Sequence, residues 1–284
     1  MAGGLKLIQG LAALADRYDG YVVDLWGVIH DGLTTYDGAV PCLAALRARG
    51  RRVVLLSNAP RRAAVAVAGL RRLGVPDDLY DAIVTSGEAC FLALRDRPDA
   101  WFRALGRRVH HIGPPRDASV LDGLGLDRMD DPAQASFVLN TGPDDERSPT
   151  DPAAFDDVLR ACRAAGLPML CANPDLTVMR DGVAIVCAGA LAERYRDLGG
   201  DVRSIGKPDP AIYGSVFAQL GVDPGRTLAI GDSLRTDIAG AAAAGIDALW
   251  ILRGIHGLDD AEEAGRQAAA HGVCPIAAMP RLRW

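Results

Sequence analysis

Short apolar runs alternate along most of the chain with alanine-rich stretches of helical period. Residues 21–24, 52–57, 82–85, 227–231 and 246–252 are almost continuously apolar and rich in Val, Leu and Ile. Runs of that kind predict strands covered on both faces. Residues 38–49, 60–73, 209–220 and 234–244 space Ala and Leu as helices do. Strand alternating with helix predicts an α/β fold with a parallel sheet between helical layers.

The middle of the chain carries a second set of elements. Strands are predicted at 108–112, 136–140, 168–171 and 183–187, and helices at 87–96, 151–165 and 188–199. Loops at Pro114-Pro115-Arg116-Asp117 and Thr141-Gly142-Pro143-Asp144-Asp145 interrupt them. The expected organisation is a core domain built from residues 1–85 and 202–284, with a smaller α/β domain, residues 86–201, inserted into it. No repeat of solenoid type is present.

A chain of 284 residues can bury a full core. At 49% hydrophobic and 24% charged residues it has the balance of a folded globular protein. A formal net charge of −5 argues against general nucleic-acid binding, which needs a basic surface. No run approaches the ~20 apolar residues that span a bilayer, and no leader segment is evident at the start, so a cytoplasmic protein without membrane contact is expected. The six cysteines, at 42, 90, 162, 171, 187 and 274, form no Cys-x-x-Cys unit. They read as reduced core residues rather than zinc ligands.

Chemistry gathers outside the inserted block. Asp24 ends the run Tyr21-Val22-Val23 and precedes Leu25-Trp26-Gly27. Ser57 ends a second run, and Asp232 follows Gly231 at the end of a third. In open α/β sheets ligands bind beyond the carboxyl ends of strands, so these three side chains should converge on one edge. A carboxylate there can act as a nucleophile toward phosphorus, or simply cap a turn. Ser57 can donate to a phosphoryl oxygen, or serve as an N-cap before Pro60. Asp232 and Asp237 suit Mg²⁺, which takes one or two carboxylates and keeps waters. The chain contains only two lysines, Lys6 and Lys207, against 29 arginines. Lys207, in Gly206-Lys207-Pro208-Asp209, therefore stands out as a compact cation chosen for point contact with an oxyanion. Two other patterns carry no chemistry. His110 and His111 are adjacent on a predicted strand and point to opposite faces, and Gly123-Leu124-Gly125 follows no strand and lacks a third glycine. Trp101, Trp250 and Trp284 have no motif around them and default to packing.

In this order, the four segments around Asp24, Ser57, Lys207 and Asp232/Asp237 resemble the haloacid dehalogenase (HAD) superfamily. An insertion between the Ser57 and Lys207 segments is similar to the group with a large α/β cap, type C2a, on a Rossmann-like core. Within it, Cys171-Ala172-Asn173-Pro174-Asp175 and Tyr36-Asp37-Gly38-Ala39 resemble the NagD-like and p-nitrophenyl-phosphatase-like branch (class IIA). The resemblance implies Asp24 as nucleophile, Lys207 as stabilising cation, and Ser57 with Asn58 as phosphate-side residues. It implies Mg²⁺ held by Asp24, Asp232, Asp237 and the backbone carbonyl of Trp26. Asn173 and Asp175 become candidates for substrate binding, and a cap that closes over the site would select the substrate. Homodimerisation through the inserted domain is a further expectation by resemblance.

One position departs from the pattern. The family's phosphatases place an Asp where this chain has Trp26, and that Asp protonates the leaving group and then activates water. An indole does neither, and general acid–base help is worth ~10²–10⁴ in rate. His30, downstream on the same expected flap, has a suitable pKa range but also fits a surface hairpin. The expected function is an Mg²⁺-dependent phosphohydrolase of a small phosphorylated metabolite, acting through an aspartyl-phosphate. The alternatives are a phosphate-binding or regulatory protein impaired at Trp26, or a phosphotransferase.

Overall fold

The continuous apolar runs form strands whose residues are buried without alternation, as a parallel sheet with two covered faces requires. The computed structural model of the chain describes residues 5–180, 182–255, 257–258 and 260–284; the start of the chain, Met1–Gly4, lies outside them. In chain order the strands are β1 (Gly20–Val23), β2 (Arg52–Ser57), β3 (Ala82–Thr85), β4 (Arg108–Ile112), β5 (Asp127–Arg128), β6 (Phe137–Asn140), β7 (Met169–Cys171), β8 (Thr177–Arg180), β9 (Val183–Val186), β10 (Val202–Ser204), β11 (Thr227–Gly231), β12 (Asp247–Ile251) and β13 (Ala277–Met279). The helices are α1 (Ala39–Ala48), α2 (Ala63–Arg72), α3 (Ser86–Asp96), α4 (Ala100–Ala104), α5 (Asp156–Ala164), α6 (Ala188–Asp197), α7 (Ala211–Leu220), α8 (Ala239–Ala243) and α9 (Ala261–Ala270).

The chain divides into two units. One comprises Met1–Ser57, Val67–Val84 and Lys207–Trp284, the other Asn58–Ala66 and Thr85–Gly206. The first holds a six-stranded sheet in the order β13-β12-β11-β1-β2-β3. β1 lies parallel to both β2 and β11, with Val23 in register with Leu55 and Ile230. From β1 the chain winds outward to β3 on one side, and later from β11 to β13 on the other. The winding direction therefore reverses between β1 and β11, which is where Rossmann-like sheets open a crevice. Alternate strand residues Tyr21, Val23, Val53, Leu55, Leu228 and Ile230 share one buried cluster with Leu43 and Leu46 of α1. Burying each such side chain contributes roughly 1.5–3 kcal/mol.

The second unit is a parallel sheet in the order β10-β7-β6-β4-β5, with β8 and β9 as a separate antiparallel pair. Side-chain alternation assigns its two faces. Val138, Met169 and Cys171 pack with Phe155, Leu159, Leu191 and Tyr195 around α5 and α6. Phe137, Leu139 and Leu170 pack with Cys90, Leu94 and Phe102 of α3 and α4. The α3 start is fixed by Thr85, whose hydroxyl accepts the Glu88 amide at 3.0 Å.

Three details differ from the expectations. Residues 234–244 form a π-helical turn, Leu234–Ile238, before α8, so the helix begins with a widened turn. The predicted strand at 183–187 forms as β9, but its antiparallel partner β8 was not among the predicted strands. Cys274 is exposed, while the other five cysteines are buried.

Candidate functional site

Asp24 is the first residue after β1, and its amide donates to the Ile230 carbonyl at 2.9 Å. Asp232 is the first residue after β11. The two carboxylates thus flank the reversal point of the core sheet. Asp237 lies three residues into the π-helical turn that follows, with its Oδ2 accepting the Ser233 amide at 3.1 Å. The three residues are buried, and a ligand oxygen from each lies within 4.8 Å of the others.

Lys207 joins this group from a segment far away in sequence. Its Nζ donates to Asp24 Oδ1 at 2.6 Å, to Asp237 Oδ1 at 2.5 Å and to the Leu56 carbonyl at 3.1 Å. Three acceptors match the three N–H groups of an ammonium, an arrangement that a planar guanidinium does not reproduce. The side chain is only 4% exposed. Among the described residues, three carboxylates gather around one ammonium in a buried site. Two unit charges at the 4.8 Å limit of this cluster repel by about 3.5 kcal/mol at an effective dielectric constant of 20. Burial, with Asp24 and Asp237 adding to it, holds the Asp232 carboxyl well above the usual carboxylate range, and the Ile255 amide opposes that shift. The donor set is all hard oxygen and closely spaced. It fits a divalent cation of the Mg²⁺ type.

Asp232 is enclosed by backbone. Its Oδ2 accepts the Ile255 amide at 2.6 Å, and its carbonyl accepts the Trp250 indole N–H at 2.9 Å. Gly27, at φ +82°, has no room for a side chain, because a Cβ would sit 2.0 Å from Asp232 Oδ2; at Gly254 it would sit 2.1 Å from that oxygen. Trp250 was expected only to pack. It is fully buried, but it also holds the strand-end carbonyl.

Ser57 closes β2, the neighbour of β1, at the same sheet edge and is buried. Trp26 is half-buried, with its ring edge-on to His30 at 5.6 Å between centroids. That ring lies so close to Gly32 that a Cβ there would meet it at 2.2 Å. His30 is bridged to Trp26 and to Thr35 in a short hairpin, and its Nδ1 accepts the Gly32 amide at 3.0 Å. This bond puts the lone pair on Nδ1 and the proton of the neutral ring on Nε2.

The remaining predicted residues form a set of their own in the second unit. Asn58 Nδ2 donates to Asp175 Oδ1 at 2.9 Å, and Asn173 Oδ1 accepts the Asp175 amide at 2.9 Å. Ser86 Oγ donates to Asn58 Oδ1 at 3.1 Å. These contacts fix the turn between β7 and β8. The residues missed in the sequence are Gly254, the Ile255 amide, Trp250 and the Leu56 carbonyl. Only a glycine just after a strand end, Gly254, left a signal.

Two family models match the chain, one toward each end. A haloacid dehalogenase-like hydrolase family model matches residues 21–127, which include Asp24 and Ser57, and a HAD-hydrolase-like model matches residues 204–275, which include Lys207, Asp232 and Asp237. Human glycerol-3-phosphate phosphatase is 30% identical over 286 residues, spanning 90% of this chain and 85% of that protein. The crystal structure of a haloacid dehalogenase-like family hydrolase from Brucella suis 1330 superposes with a TM-score of 0.84 at 37% identity, covering 97% of this chain and 100% of that one. A glycerol phosphate phosphatase from Mycobacterium tuberculosis, solved in complex with magnesium, superposes with a TM-score of 0.62 at 28% identity, over 85% of this chain and 69% of that one.

Proposed function

Because the chain belongs to the haloacid dehalogenase-like hydrolases, we propose that it is a Mg²⁺-dependent phosphatase of a small phosphorylated polyol or related monoester, acting through Asp24. The observation that carries this reading is the ion network at the reversal point. Lys207 binds Asp24 and Asp237 while Asp232 completes a three-carboxylate cradle. The substrate class follows that of the relatives, which are glycerol-3-phosphate phosphatases.

The chemistry needs little rearrangement of this geometry. An Asp24 carboxylate oxygen attacks phosphorus, the ester P–O bond breaks, and the alcohol oxygen departs with the bonding pair. Water then attacks the aspartyl-phosphate, releasing inorganic phosphate and restoring the carboxylate. Lys207 aims Asp24 through its hydrogen bond and balances charge on the transferring group. The Ser57 hydroxyl donates to a phosphoryl oxygen. Asp24, Asp232, Asp237 and the Trp26 carbonyl would hold the cation, which when bound neutralises phosphoryl charge. Trp26 supplies no proton, so leaving groups that need little protonation should turn over fastest.

Phosphate release from a panel of glycerol phosphates, sugar phosphates and aryl phosphates, measured with and without Mg²⁺, tests the reading. Release should require the cation and fall by on the order of 10⁴-fold or more in Asp24→Asn. Cation-dependent binding of a phosphate ester with no release from any substrate would instead support a binding protein.

A further inference from the structure

Four neutral groups surround Asp232, three at its carboxylate and one at its backbone carbonyl. The Ile255 amide holds Asp232 Oδ2. Gly27 and Gly254 wall the same oxygen, each with space for hydrogen alone. The Trp250 indole holds the Asp232 carbonyl. Gly231 is in register with Trp250, so β11 and β12 fix the backbone just before the carboxylate. The loops after β1 and β12 then fix its side chain.

We propose that Gly254, the Ile255 amide and Trp250 act as positioning groups that clamp Asp232 in the orientation a divalent cation needs. This inference rests on the cation reading above. Like charges in the cradle repel one another. Asp232 faces Asp24 and Asp237 in a buried site, and Lys207 donates to those two. Left to itself, the third carboxylate would swing away from its neighbours. The clamp prevents this with neutral groups only. An amide donor favours the ionised carboxylate, two glycines let the backbone close around it, and an indole stops the strand end from rotating. A cation then meets a ligand already in place instead of ordering one. Contacts of this outer kind are typically worth 10–100-fold in metal affinity. A lysine or arginine could hold Asp232 equally firmly, but it would cancel the charge that attracts the cation.

The test measures Mn²⁺ binding to the full-length, EDTA-stripped chain, by the electron paramagnetic resonance signal of free Mn²⁺. Thermal unfolding in EDTA is recorded alongside. Gly254→Ala should weaken Mn²⁺ binding about 10–100-fold with little change in the metal-free unfolding midpoint, since the displaced carboxylate leaves a crowded cluster. Trp250→Phe keeps an aromatic ring but loses the N–H donor, and should weaken binding by a smaller factor. Ile255→Ala keeps the amide and should bind as the wild type does. A role confined to supporting the fold would lower the metal-free midpoint and leave affinity intact. Wild-type affinity in Gly254→Ala overturns the proposal, as does Ile255→Ala weakening binding as much as Gly254→Ala. If Gly254→Ala does not fold, wild-type affinity in Trp250→Phe overturns it. Asp232→Asn separates the two levels of inference. Equal Mn²⁺ binding by wild type and Asp232→Asn would remove the cation reading itself. Binding lost in Asp232→Asn but kept in Gly254→Ala would remove only the clamp.

Discussion

The two ends of the core sheet both carry buried or strand-flanking aspartates, and they treat them in opposite ways. At the amino-terminal edge, Asp19 precedes β1 and is paired with both Arg51 and Arg226. Asp81 precedes β3 and binds Arg47 at 2.9 Å, Arg52 at 2.7 Å and the Val53 amide at 2.7 Å. Both Asp19 and Asp81 have two guanidinium partners. At the carboxyl edge, three acids share one ammonium. The electrostatics follow suit. The Arg226 hydrogen bond draws the Asp19 carboxyl below its usual range, while burial and its acidic neighbours push Asp232 up. Acids matched with cations fasten the ends of strands. Acids gathered around a single described ammonium, at the place where the winding reverses, make a receptor for a cation. The same residue type thus has two uses, and the surroundings of each acid separate them.

The largest expected effect comes from deepening the imbalance. Lys207→Met leaves three buried carboxylates without their ammonium. The metal-free protein should lose about 3–5 kcal/mol, the cost of breaking a buried ion pair, and turnover should fall by on the order of 10²–10³-fold, as for loss of an electrostatic stabiliser. Urea unfolding in EDTA and phosphate release report the two losses separately.

Breaking the matched edge should affect stability alone. Asp81→Asn leaves Arg47 and Arg52 facing a neutral amide and should cost about 2–3 kcal/mol, with the rate per folded molecule unchanged. A loss of turnover as large as that of Lys207→Met would remove the distinction between the two edges.

Asp232→Asn runs the other way. The amide oxygen can still accept the Ile255 N–H, and one charge leaves the crowded cluster. The metal-free protein should gain about 1 kcal/mol in urea unfolding, a stability gain of the sort seen when active-site strain is relieved. The stabilisation that a divalent cation gives the wild type, about 2.7 kcal/mol at a concentration of 100 Kd, should disappear.

The smallest effect is a pH dependence at the matched edge. The folded-state pKa of Asp19 is depressed, so its contribution to stability is present above the unfolded value of 3.8 and is lost as pH falls through the folded value. The Asp19 side chain is 40% exposed, and solvent screens its pairs. The gap in unfolding midpoint between wild type and Asp19→Asn should be small near neutrality and close below pH 3.8. A gap that widens on acidification would contradict this sign.

Much of this contrast was legible in the residues. Asp24 and Asp232 sit at the ends of apolar runs, and an apolar run with a carboxylate at its end already implies a sheet edge with chemistry on it. Lys207 was legible through the scarcity of lysine. The strands with two or three residues, β5, β7, β10 and β13, were harder to read: a period of two cannot be established over so few positions, and of these only β7 fell within a predicted strand. α4 and α9 went unpredicted for a related reason, since one is a helix of five residues and the other an alanine-rich segment with few buried positions. The partnership of Asn58 with Asp175 was also hidden, because it joins residues 117 positions apart through side chains alone.

The amino-acid order by itself determined the alternation of strand and helix, the placement of acids at strand ends and the identity of the one buried ammonium, because hydrophobic period and residue chemistry are local properties. Only the folded arrangement decided the surroundings of each acid, and that Gly254, Ile255 and Trp250 would close on Asp232. Charge balance and steric closeness are properties of neighbours in space, and β11 and β12 become neighbours only when the sheet is assembled.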